Sequence, residues 1–124
     1  MIGSSIMRVS VVLLVIGLLW GIEMGIRQDF ALAPAHAHLN LIGGVLLFLA
    51  GLYYRLFPQA GASPLAKFQG GLHIAGAVLF PLGIAIVLTK GASFEALPIV
   101  GALIVLIAIA LFAVIVFRTT GPKA

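Results

Sequence analysis

Four apolar stretches, each long enough to cross a bilayer, leave this chain few residues for anything else. A spanning helix needs roughly 20 apolar residues at about 1.5 Å rise each. Residues 6–26, 35–57, 65–88 and 97–117 each supply one, separated by short polar or Gly/Pro-rich breaks. No extramembrane domain fits into what is left of the 124 residues, so the protein is expected to act within the bilayer or at its faces. The composition agrees: 63% of residues are hydrophobic and 8% charged, and the mean hydropathy of +1.29 lies outside the range of soluble domains. The expected fold class is all-α, an integral membrane four-helix bundle forming a single transmembrane domain.

The chain has no cysteine, which excludes disulfides, thiolate metal sites, iron–sulfur clusters and covalent c-type heme attachment. Its net charge of +4 does not point to nucleic acid, because the basic residues stand singly at the ends of apolar runs. They report topology. Arg8, Arg55, Lys67, Arg118 and Lys123 fall on one side of a four-helix serpentine, and Arg27 and Lys90 fall on the other, offset by Asp29 and Glu95. The positive-inside rule then puts both termini in the cytoplasm and the loop before His36 outside. Arg8, the apolar run after it and the small residues of "ALAPAHA" also have the outline of a cleavable leader with sites near Ala33 or Ala35. The run is too long for a leader core, so it is read as the first span.

The first span carries Gly17, Gly21 and Gly25, a small-residue row that lets another helix approach closely. Glu23 sits near its outer end, four residues before Arg27, which predicts an i,i+4 ion pair; an intramembrane acid is also a candidate functional site. Trp20 reads as a packing or interfacial residue. Pro34 suits the first turn of the second helix, where its missing N–H has no partner to lose. That helix exits through "GLYYRLFP", with Tyr53 and Tyr54 as an aromatic belt, Arg55 as anchor and Pro58 as stop. The third span places Gln69 and His73 one turn apart and is expected to bend at Pro81. The fourth is nearly pure Ile, Leu, Val and Ala and is expected to face lipid.

The stretch "APAHAHLNLIGG" contains two of the three histidines. On a helix, residues two apart differ by about 200° in azimuth, so His36 and His38 point to nearly opposite faces at one depth. They cannot easily grip one metal ion together, but they can serve two sites, one on each side of the helix. Asn40 follows His36 by one turn, within reach of that imidazole or of a ligand held by it. A low-dielectric setting keeps imidazole neutral, the form that coordinates metals and heme iron. The alternative is a pair of interfacial histidines hydrogen-bonded to loop carbonyls. His73 lies about 7 Å inward of the midplane and His38 about 10 Å outward, at about 1.5 Å per residue, so the two cannot share one iron. An internal polar contact with Gln69 or a neighbouring helix is one reading of His73; a proton relay or a second cofactor is the other.

"HAHLNLIGGVLLFLAGLYYRLFP" resembles the tenth helix of the catalytic subunit of heme-copper oxidases, where an HxH pair precedes a Gly-rich apolar run and a "G...WFP"-like exit. "KFQGGLHIAGAVLFPLG" resembles the next helix of that subunit, and together the likeness spans about Ala35 to Gly91. It is similar as well to small bacterial four-helix proteins described as subunit I-like, which share the HAHLN and YYRLFP elements. The resemblance implies that His36 corresponds to the high-spin heme ligand and His38 to the low-spin one. That subunit has twelve helices in three sets of four, so the resemblance implies a homotrimer of this chain in a bacterial inner membrane. Each interface would then ligate a b-type heme through His36 and His38 of different protomers. A second form of the same reading gives each heme one histidine and an open sixth position for a gas. The chain departs from the family in having no adjacent His-His pair and no second helix with the copper-site histidine and tyrosine, so oxygen reduction and proton pumping are not expected.

The reading is thus a membrane b-type heme protein handling electrons or a diatomic gas such as nitric oxide, with His36, His38 and Asn40 at the cofactor and an unnamed redox partner. His73, Gln69 and Glu23 form a secondary polar group. Two other classes stay open: a small dimeric transporter, for which Glu23 lies too near the outer end, and a copper-binding assembly partner of a respiratory oxidase.

Overall fold

The computed structural model describes residues 1–122; Lys123, counted above with the basic side, lies outside them. Four long helices are each apolar enough to cross a membrane: α1 (Ile2–Arg27), α2 (Ala33–Leu56), α3 (Pro64–Lys90) and α4 (Ala96–Thr120). Each starts earlier than the apolar core predicts, α1 at Ile2 rather than Ile6 and α2 at Ala33 rather than Ala35, because helical backbone continues into the interfacial layer where polar residues are tolerated. The ends are set by local chemistry. Gln28 turns left-handed (φ 53°) and donates its N–H to Gly25, closing α1. Pro34 occupies the first turn of α2. Ser63 caps α3, its Oγ accepting from the Ala66 N–H at 3.1 Å, and Gly91 at φ 104° ends that helix. A short helical turn, Pro58–Gly61, and a 3₁₀ turn, Ala92–Phe94, complete the connections.

α2 is not uniform. Ala33–His38 and Leu47–Leu56 are α-helical, and Leu39–Leu46 between them is a π-helix. α3 continues as helix through Pro81, which is buried. The helices run alternately up and down, so the start of α1 and the end of α2 meet at one end: Arg55 donates to Ser4 Oγ at 3.0 Å, and Tyr53 hydrogen-bonds Thr119 near the end of α4. The apolar core sits at this end, built from Ile6, Leu47, Tyr54, Ala66 and Ile115 with Phe112 packed against it.

Glycines bring the helices together in pairs. Gly3 of α1 faces Gly51 of α2 so closely that a methyl group on either would meet the other's carbonyl oxygen within 2.9 Å. Gly17 and Gly21 also face α2, so the small-residue row of α1 serves a helix of its own chain; Gly25 meets nothing. α4 touches the bundle along one narrow stripe. Gly101, Ala108 and Ile115, seven residues apart, are its buried residues, while Leu103, Leu106 and Ile107 are exposed. The α3/α4 seam again uses glycine: a methyl group on Gly83 would lie 2.7 Å from the Pro98 nitrogen, and one on Gly101 would lie 2.6 Å from the Phe80 Cα. Backbone cannot step aside as a flexible side chain can. Gly83→Ala is therefore expected to destabilise the protein by about 1–3 kcal/mol in detergent unfolding, whereas Gly71→Ala, with open space around it, leaves the midpoint unchanged.

Candidate functional site

His36 and His38 lie on the first turns of α2, at the end opposite the core, and their rings do leave the helix on different sides. His36 turns to α1. Its ring stands edge-on to Trp20 with centroids 6.2 Å apart, and a methyl group on Gly21 would come within 2.8 Å of its Cε1. His38 turns to α3, its ring edge-on to Phe80 with centroids 4.9 Å apart. The two faces of α2 therefore each carry one imidazole, and both imidazoles pack against helices of their own chain.

The two rings are also bonded differently. His38 Nδ1 lies 2.6 Å from the Pro34 carbonyl oxygen, and only a protonated Nδ1 can make that bond, since both partners would otherwise be acceptors. Bonding to loop carbonyls was the alternative to ligation in the sequence; the acceptor is instead a carbonyl in the first turn of α2 itself, and the bond fixes the tautomer that leaves the Nε2 lone pair free. An outer hydrogen bond of this kind orients a ligating histidine and raises its basicity. His36 has no such freedom. Its Nε2 accepts from the Asn40 amide at 3.3 Å, the one-turn contact that the spacing allowed. His36 Nδ1 and Asn40 Oδ1 are then buried in the α1/α2 seam without partners. Turning the Asn40 amide over would exchange which imidazole nitrogen carries the proton, but either way Nε2 faces Asn40. Gly17 makes room for that amide.

Glu23 and Arg27 pair at 2.6 Å on the exposed C-terminal end of α1. With Trp20, Met24, Asp29 and Leu32 they border a cavity of about 130 Å³, room for a few water molecules, whose lining does not include His36. Glu23 is thus committed to Arg27 and does not join His73 and Gln69.

Those two form a separate buried chain in the half of the bundle toward the termini. The Tyr54 hydroxyl donates to Gln69 Oε1 at 2.7 Å, the Gln69 amide donates to the Ala108 carbonyl at 3.2 Å and faces His73 Nδ1 at 3.5 Å, and His73 Nε2 donates to the Ile42 carbonyl at 3.2 Å. Tyr54, Gln69 and His73 are fully buried. Both imidazole nitrogens of His73 are engaged, so the ring offers no free nitrogen to a metal. His38 meets Phe80 and His73 stands seven residues earlier on the same helix, about 10.5 Å along its axis, which keeps the two imidazoles at separate levels.

Sequence reasoning placed Tyr54 in an aromatic belt and missed its role as donor to Gln69. It also missed the π segment, in which the Ile42 carbonyl accepts both the Leu47 N–H and His73 Nε2–H. The adjacent glycines of "LNLIGG" were the available signal, since paired glycines loosen a helix. Phe80 as the neighbour of His38 had no signal at all. Among the described residues, no group of three or more His, Cys, Asp or Glu is placed to hold a metal ion. No family model matches the chain, and comparison with curated proteins and with solved structures gives no match.

Tyr54→Phe removes the donor to Gln69 Oε1 between two fully buried side chains. The expected loss is about 0.6–1.7 kcal/mol of stability, the range for such bonds between membrane helices, measured by unfolding in micelles. Tyr53→Phe, at the wetter end of the molecule, is expected to lose less.

Proposed function

We propose that this chain is a membrane b-type heme protein whose iron ligand is His38. The observation that carries the reading is the 2.6 Å bond from His38 Nδ1 to the Pro34 carbonyl, which leaves Nε2 as a free, oriented lone pair at one end of an apolar bundle. Phe80 bears on the same ring and limits its rotation. Bound heme would supply a one-electron iron couple and, on a face without a protein ligand, a site for a diatomic gas.

The residues favour one histidine per heme. His36 would have to release Asn40 and leave its place over Gly21 before its Nε2 met an iron, whereas His38, bonded through Nδ1, has no hydrogen bond on Nε2 to release. In this reading His36 and Asn40 position the start of α2 on α1, and a heme held by His38 alone would offer its iron to a gas or to electron exchange. The homotrimer and the cytoplasmic placement of both termini in a bacterial inner membrane belong to the same proposal. They are supported by the likeness to a twelve-helix oxidase subunit and by the basic residues at the termini end. The transporter and copper readings find less support: Glu23 is committed to Arg27 at an exposed helix end, and the rings of His36 and His38 face different helices and cannot close on one copper ion.

The visible spectrum of protein purified after heme-replete expression tests this. A Soret band is expected in the wild type and in His73→Ala, with loss of at least nine-tenths of it in His38→Ala. His36→Ala is expected to keep most of the band. Wild-type protein without a Soret band would sink the heme reading, and equal loss in His36→Ala and His38→Ala would replace it with ligation by both histidines.

A further inference from the structure

The charges of this protein are sorted by end. Its three acidic residues, Glu23, Asp29 and Glu95, all lie in or beside the two connections at the histidine end, with Arg27 and Lys90. Arg8, Arg55, Lys67 and Arg118 lie toward the termini end, which has no acidic side chain. Two clefts open at that end, of about 660 and 250 Å³, and both are bordered by Gln59, Ala60, Arg118 and Thr119. The larger continues over Leu56, Phe57 and Pro58; the smaller runs along Leu65 and Ile115. An exposed guanidinium therefore stands where a mixed cleft and a largely apolar one meet, at the end of α4.

We propose that this junction binds an anionic phospholipid, with the phosphodiester on Arg118 and the apolar chains laid along Leu65 and Phe57. Charge complementarity selects the occupant: a guanidinium matches phosphate oxygens in a two-point fork, and no acidic side chain at this end competes for it. Volume fits as well, since the larger cleft is within the roughly 300–1,000 Å³ of ordinary ligand pockets. Basic pockets among helix ends are known places for anionic headgroups. Gln59, exposed and without a hydrogen bond among the described residues, adds an amide donor beside Arg118. The assignment is independent of heme.

The test is reconstitution into nanodiscs of equimolar phosphatidylglycerol and phosphatidylcholine, gentle extraction, and mass spectrometry of the lipid that stays bound. Phosphatidylglycerol is expected to be retained at least fivefold over phosphatidylcholine, and Arg118→Gln to reduce that preference about fivefold, the effect of one basic residue near a charged surface. Lys90→Gln, at the other end, is expected to leave it unchanged. A wild-type melting temperature raised more by phosphatidylglycerol than by phosphatidylcholine supports the site even if Arg118→Gln does not fold. Equal retention of the two lipids, an undiminished preference in folded Arg118→Gln, or complete displacement by millimolar inorganic phosphate would overturn the proposal.

Discussion

The hydrogen bond from His73 to the Ile42 carbonyl ties the two halves of this protein together. α1 and α2 form one glycine-contacted pair, α3 and α4 another, and apolar packing alone gives them little reason to associate in lipid, where the surroundings are as greasy as the helices. The chain Tyr54–Gln69–His73 crosses that division. Tyr54 and Ile42 belong to α2, Gln69 and His73 to α3, and the Ala108 carbonyl to α4. Each polar group in it is worth keeping paired because nothing around it offers a substitute. The apolar core gathers at the same end, so the half toward the termini is the firm part of the molecule.

The other half is organised by contrast between two similar residues. His36 is locked: amide on one nitrogen, glycine beneath the ring, tryptophan at its edge. His38 is oriented but uncommitted, held through Nδ1 with Nε2 available. About half a turn of helix thereby separates an imidazole engaged through Nε2 from one engaged through Nδ1, and the difference arises from which neighbour each meets.

Much of this could be read in the sequence. Apolar run length gave the four spans; azimuth alone put His36 and His38 on different faces; one-turn spacing paired Asn40 with His36 and Glu23 with Arg27. Those relations are local and follow from helix geometry. What escaped were contacts between residues distant in the chain. The α3/α4 seam through Gly76, Gly83 and Gly101 has no mark distinguishing it from other small residues in apolar runs. The direction of His36 into its own chain depended on Gly17 and Gly21 meeting α2, where the row itself was compatible with any partner. Tyr54 differed from Tyr53 only in facing Gln69.

The π segment of α2 has a geometric effect that reaches both ends of the helix. An α-helix turns by about 100° per residue, and a stretch wound more loosely shifts everything before it in azimuth relative to everything after. Leu39–Leu46 stands between the turn bearing the histidines and the turn bearing Tyr54. It acts as a fixed angular offset, aiming the upper half of one helix independently of the lower. One residue fewer in that stretch would turn His38 away from Phe80 by about 100° if Tyr54 kept its place against Gln69.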